Sequence, residues 1–208
     1  MDLRRSLVRV LALALLVAGC APAPPAQGPG APRATSSLTS GTAAERFFPL
    51  RDGYVYHYVT ETGEGQGLVV ARAVRLDATH GELRLPNVVR SVEYLPDGVM
   101  VRSGRELPAY LLKLPLAAGT QWRSARGAVV RIAAVDLPVQ VQAGRFTGCV
   151  QTIEERGGDQ PLRLATTYCP DTGIVLLEAT SGAELERMEL KSFGPPIDIG
   201  PEGVRRLE

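Results

Sequence analysis

Three cysteines, two histidines and a run of alternating tyrosines are the residues of this 208-residue chain whose types could do chemistry. Cys149 and Cys169 form an even pair once Cys20, near the N-terminus, is set aside. Such a pair can be a structural disulfide, or a redox or metal pair. The spacing is not Cys-x-x-Cys and no histidine lies near, which favours the disulfide. His57 sits in a tyrosine-rich run and His80 precedes Gly81 in an apparent turn. Without an HExxH or other paired spacing they read as a strand and a turn histidine, not as metal ligands. There is no Gly-x-Ser-x-Gly elbow. Gly63-Glu64-Gly65-Gln66-Gly67 lacks the following helix and lysine of a phosphate loop, so it reads as a hairpin turn. No catalytic residue, metal set or cofactor can be named, so an enzyme ranks last among the readings.

Tyr54, Tyr56 and Tyr58 are spaced two apart, which on a strand puts three rings on one face. An aromatic wall could stack a ligand or line a groove, making these three the candidate binding residues. The commoner use of such a stripe is core packing with hydroxyls at the rim, and the core reading is preferred.

What positions these groups is a series of short β-type runs. They are 54–60, 67–76, 82–85, 88–95, 99–103, 109–114, 121–125, 128–135, 139–142, 146–155, 162–169, 174–180 and 185–193. Gly, Pro, Asn or Asp falls in most gaps, as at Pro96-Asp97-Gly98. The pattern predicts an all-β fold, an antiparallel sandwich or an open, curved, barrel-like sheet, in a single domain. Residues 181–191 carry a competing helix signal, with Ser181 and Glu184 spaced as a capping box. The alternation from Arg187 to Lys191 favours a strand there. Register supplies a test of the cysteine pair. A hairpin around Gly157-Gly158-Asp159 that opposes Glu155 to Arg163, Ile153 to Ala165 and Gln151 to Thr167 also opposes Cys149 to Cys169.

Pro49-Leu50-Arg51-Asp52-Gly53-Tyr54-Val55-Tyr56 and Pro115-Leu116-Ala117-Ala118-Gly119-Thr120-Gln121-Trp122 share the pattern Pro-Leu-x-x-Gly-x-x-aromatic. Each reads as a turn delivering an aromatic to a strand, with Pro fixing φ and Gly permitting positive φ. So short a match is open between chance and duplication.

The N-terminus reads differently. Arg4, Arg5 and Arg9 precede the apolar run Val10–Val17 and the small residues Ala18 and Gly19. This is the order of a secretory signal, and the run is too short for a membrane span. Val17-Ala18-Gly19-Cys20 resembles a lipobox, which implies cleavage between Gly19 and Cys20 and lipidation of Cys20. Ala21, by resemblance to lipoproteins of Gram-negative cells, permits delivery to the outer membrane. The expected organisation is a signal peptide (1–19), a flexible Pro/Ala/Gly/Ser tether (20–45), an antiparallel β domain (46–196) and a polar tail (197–208) that frays. Loss of residues 1–19 moves the formal net charge from +1 to about −1, which gives no case for nucleic acid.

Phe48–Tyr56 also resembles the opening of a group of uncharacterised bacterial lipoproteins whose domain begins Pro-Leu-x-x-Gly-x-x-Trp-x-Tyr. Similar pieces follow at Leu114–Trp122, Ala143–Cys149, Tyr168–Val175 and Leu190–Phe193, so the resemblance spans most of the folded part. This chain has Tyr54 and Tyr56 rather than Trp in the first motif. The resemblance implies an antiparallel β fold and a cell-envelope setting, and brings no activity. The expected function is therefore a lipid-anchored, non-catalytic binding or scaffolding module. It would meet the membrane through Cys20, at the periplasmic face of the outer membrane. The alternative is lipid or lipoprotein handling on an apolar concave sheet. Cys20→Ser should abolish lipid attachment, and wild-type incorporation of labelled palmitate into that variant would show the site to be wrong.

Overall fold

The structure is a computed structural model and describes residues 43–158, 161–200 and 203–206. The expected signal peptide, Cys20 and nearly all of the expected tether lie outside the described residues. The described chain starts with a five-residue helix, α1 (Ala43–Phe47), and continues as strands.

Six strands follow in order: β1 (Val55–Thr62), β2 (Gly65–Arg75), β3 (His80–Leu85), β4 (Val88–Leu95), β5 (Gly98–Ser103) and β6 (Ala109–Lys113). Six more complete the sheet: β7 (Gln121–Arg123), β8 (Val129–Val141), β9 (Gly144–Arg156), β10 (Leu162–Cys169), β11 (Gly173–Ser181) and β12 (Glu184–Gly194). All twelve join one antiparallel sheet in the order β6-β5-β4-β3-β2-β1-β12-β11-β10-β9-β8-β7. Each half is a six-stranded meander, and the halves are joined where β1 pairs with β12, from Val55 opposite Gly194 to Glu61 opposite Arg187. The sheet curls into a nearly closed barrel. At its seam β6 meets β7 through side chains: Trp122 Nε1 donates to the Tyr110 carbonyl at 2.8 Å. Residues 184–194 are the strand β12, as the alternation at Arg187–Lys191 indicates.

Up-and-down order gives the barrel two different ends. α1 and the turns β2–β3, β4–β5, β6–β7, β8–β9 and β10–β11 gather at one end, the other turns at the opposite end. The first end is capped. Ala44, Phe48 and Leu50 are buried against it, and the buried Tyr94 hydroxyl donates to the Phe48 carbonyl (2.8 Å) while accepting from the Leu50 N–H (2.9 Å). Arg75 lies over the Tyr94 ring, 4.4 Å from its centre, and pairs with Glu45 of α1 at 2.9 Å. Gly81 is required here: a Cβ would stand 2.7 Å from the Val74 carbonyl oxygen and 2.6 Å from Leu50 Cδ1.

The two Pro-Leu-x-x-Gly motifs begin the two halves and are built alike. Gly53 and Gly119 have φ of 75° and 91°, a region open to glycine. Gly53 N–H donates to the Ala73 carbonyl and Ala73 N–H to that of Tyr54. In the second half Gly119 donates to Ile132 and Ile132 to Thr120 in the same way. Each turn thus extends the ladder to the second strand of its half, β2 or β8.

Two details depart from the sequence reading. Runs 128–135 and 139–142 are one strand, β8, whose pairing with β9 shifts repeatedly between Ile132 and Val139. Asp136 takes φ 57° there, and the irregularity lets Pro138 sit inside a strand. The distal part of this long hairpin reaches β12, where Ala143 N–H donates to the Leu190 carbonyl at 2.9 Å. The tail, expected to fray, instead forms a separate antiparallel ladder of β13 (Ile197–Gly200) and β14 (Gly203–Arg206). In its register Ile197 opposes Arg206 and Gly200 opposes Gly203.

The β9–β10 register is the one that opposes Glu155 to Arg163, Ile153 to Ala165 and Gln151 to Thr167. One step further on, Cys149 and Cys169 form a disulfide with Cα atoms 4.2 Å apart, both fully buried. Reduction, or the C149S/C169S double substitution, should lower the unfolding free energy by about 3 kcal/mol while keeping the fold. Urea unfolding followed by circular dichroism measures this.

Candidate functional site

Residues on the inner face of the barrel are set by strand period. On β4, Arg90, Val92 and Tyr94 share one face; on β9, Val150, Thr152, Glu154 and Arg156 do. Pairing carries these faces sideways: Val150 opposes Tyr168, Thr152 opposes Thr166 and Glu154 opposes Leu164. Toward the cap the inner face is filled. Tyr56, Tyr58, Phe48, Leu50 and Leu83 surround a void of only about 20 Å³, which holds one water at most.

This corrects the idea of Tyr54, Tyr56 and Tyr58 as a ligand wall. Tyr56 and Tyr58 are buried core residues, their hydroxyls donating to the carbonyls of Pro49 (3.3 Å) and Ile174 (3.1 Å). Tyr54 is half-buried, with Arg51 5.5 Å from its ring centre. Burial pushes the Tyr56 hydroxyl up to about 12 and those of Tyr58, Tyr94 and Tyr168 still higher. All four are therefore neutral hydrogen-bonding groups at ordinary pH.

The histidines lie apart. His57 Nδ1 is 3.2 Å from Ser192 Oγ, whereas His80 is exposed at the start of β3, with Nδ1 3.1 Å from Asp77. The Asp77 carboxylate accepts from the N–H groups of Thr79 and His80, and these bonds hold its pKa down to about 2. Among the described residues no group of three His, Cys, Asp or Glu side chains is placed to hold a metal ion.

At the open end the interior is not filled. A cavity of about 290 Å³ lies between opposite walls of the barrel, beside the β6–β7 seam. Its floor carries hydroxyls: Thr152, Thr166 and Tyr168, all buried. Its walls are apolar: Val101, Leu111, Val130, Leu164, Ile174 and Leu177. Charges stand around the mouth. Glu154 Oε1 accepts from Arg156 Nε at 2.7 Å and from Ser124 Oγ at 3.0 Å. Glu106 of the β5–β6 loop pairs with Arg126 of the β7–β8 loop at 3.2 Å, bridging the seam. Arg90, exposed on β4, makes no hydrogen bond or ion pair with any described residue. Its charge is nonetheless felt at the buried Tyr168 hydroxyl on the opposite wall.

None of the charged lining residues stands out as a motif in the sequence. The signal that could have found them is phase: Arg90 is in step with Val92 and Tyr94, and Glu154 and Arg156 are in step with Val150. Charged residues at inward positions mark an interior reached by water.

Comparison with known proteins gives little beyond shape. No protein-family model matches the chain, and no curated protein matches it. Among solved structures it is similar to a protein from Bacteroides fragilis NCTC 9343 described as exported, with a YmcC-like fold. The two are 11% identical, and the match covers 70% of this chain and 97% of that one with a TM-score of 0.45. It is also similar to a protein from Parabacteroides distasonis ATCC 8503 described as a lipoprotein. That match is 11% identical and covers 75% of this chain and 100% of the other, with a TM-score of 0.48.

The Glu154 and Arg156 side chains are 13% and 27% exposed, against 45% and 63% for Glu106 and Arg126. Glu154→Ala leaves Arg156 half-buried and unpaired, and should cost about 1–2 kcal/mol. Glu106→Ala at the rim should cost no more than about 0.5 kcal/mol. Chemical unfolding of the two variants checks the order.

Proposed function

We propose that this protein is a lipid-anchored lipoprotein of the cell envelope whose β domain is a non-catalytic binding module, with the open end of the barrel as its ligand site. The anchor rests on the lipobox-like Val17-Ala18-Gly19-Cys20, and Ala21 favours the outer membrane, periplasmic face. The Cys149–Cys169 disulfide fits an oxidising compartment. The observation that carries the binding reading is the cavity itself: one barrel end capped, the other open onto about 290 Å³ with apolar walls and a few convergent polar groups. That volume is at the low end for small-molecule sites, about 300–1,000 Å³.

The same volume weighs against carriage of whole membrane lipids. It holds roughly ten water-sized units, fewer than the carbons of one membrane acyl chain. The filled, capped half offers no continuation.

Closed sheet and cap both lie within residues 43–200, so the lipid-free mature chain, made as the Cys20→Ser variant, carries the whole fold. Trp122, the sole tryptophan, packs against Val130 of the cavity wall and serves as a built-in reporter. Titration with 1-octanol should change its fluorescence saturably. Ala109→Phe, which places a ring at the cavity wall, should abolish the change without lowering the melting temperature. An unchanged response in Ala109→Phe, or no saturable response in the native chain, would contradict the proposal.

A further inference from the structure

We infer that the open-end cavity selects an anion, a single carboxylate on a short apolar body, which Arg90 holds at the mouth. The inference rests on the cavity being a ligand site and goes further by naming the chemistry of the ligand.

The first argument is charge. Three guanidinium groups line the cavity, on Arg90, Arg126 and Arg156, and two carboxylates, on Glu106 and Glu154. The carboxylates are each taken: Glu154 by Arg156 and Ser124, Glu106 by Arg126. One positive charge is left over, and it sits on Arg90. Its guanidinium has five donors and no acceptor, so only acceptors can satisfy it, and a carboxylate matches its fork with two parallel hydrogen bonds.

The second argument is position. Arg90 is on the inward face of β4, opposite Ser103 on β5 and Leu83 on β3. Ser103 also lines the cavity, and Leu83 packs into the core. An inward arginine with no ion-pair partner among the described residues is tolerated only where water reaches it. It stands near enough to the mouth to remain hydrated when the site is empty. A bound anion would replace that water.

The third argument is the wall. Below the charged rim, Val101, Leu111, Leu164 and Leu177 present apolar surface from four strands. An inorganic anion would leave that surface unused. A body of roughly eight carbons would fill the space, which is close to ten water-sized units. The hydroxyls of Thr152, Thr166 and Tyr168 bound the depth, where Thr152 Oγ1 donates to the Thr166 carbonyl at 3.5 Å.

Isothermal titration calorimetry on the lipid-free mature chain tests this with three probes: octanoate, 1-octanol and acetate. Octanoate should bind at least tenfold more tightly than octanol, and acetate should show no measurable binding. Arg90→Gln should remove the octanoate advantage and leave octanol affinity within twofold. Arg102→Gln, on the outer face of β5 and away from the cavity, should leave the advantage in place. The advantage should shrink as salt rises, because the mouth is open to solvent. Equal affinity for octanoate and octanol in the native chain, or an octanoate advantage that survives Arg90→Gln, would overturn the anion inference while leaving the binding module standing. Failure of all three probes to bind would overturn both.

Discussion

Pairing of β1 with β12 is the contact on which the rest of the structure depends. It joins residues as far apart as Val55 and Gly194 and turns two independent meanders into one continuous sheet. Every other neighbouring pair within the sheet is a local hairpin between consecutive strands. Without the terminal pairing, each half would bare its inner face, including Tyr56, Tyr58, Ala71 and Leu190, to water. The entropy of closing so long a loop rises only slowly with its length, so burial of that shared face can offset it. The Cys149–Cys169 bridge acts on a different scale, locking one hairpin of the second half.

Closure is asymmetric, and the site follows from that. On one side the halves are sealed by backbone hydrogen bonds from β1 to β12. On the other, β6 and β7 meet through the Trp122 indole and the Glu106–Arg126 pair. The ends differ too. α1, Phe48 and Leu50 close one end over a core of tyrosines, whereas nothing described covers the other. Buried charge without a partner is costly, so arginine and glutamate on inward positions belong where water still reaches. Arg90, Glu154 and Arg156 occupy such positions beside the open end. Filled half, apolar wall and charged mouth thus form one gradient along the barrel axis.

Much of this was legible in the sequence, because strands announce themselves by local chemistry. The alternation of Tyr54–Val59 gave β1, and the opposed residues around Gly157-Gly158 gave both the β9–β10 register and the disulfide. The twin Pro-Leu-x-x-Gly turns were visible as a weak repeat, and they begin the two halves. Closure was not legible, since nothing in β1 or β12 marks them as partners rather than edge strands. The tyrosine stripe favours a core place by residue type alone, but only closure shows what buries it. β8 looked like two strands because Asp136-Leu137-Pro138 interrupts its alternation, and only the bulged pairing with β9 bridges the gap. Arg90 is not legible in the sequence, because an isolated charge on a strand reads as solvated until the curvature of the sheet shows that its face is inward.

The central claim is that the barrel's open end, and not its outer surface, receives the ligand. Two-dimensional amide NMR of residues 20–208 carrying Cys20→Ser, titrated with octanoate, tests it most directly. The account predicts saturable shifts confined to the amides of Arg90, Ser103, Thr152, Thr166, Leu177 and their neighbours around the mouth. Shifts clustered instead on the outer groove near His80, Met100 and Arg102, with the mouth unmoved, would contradict it.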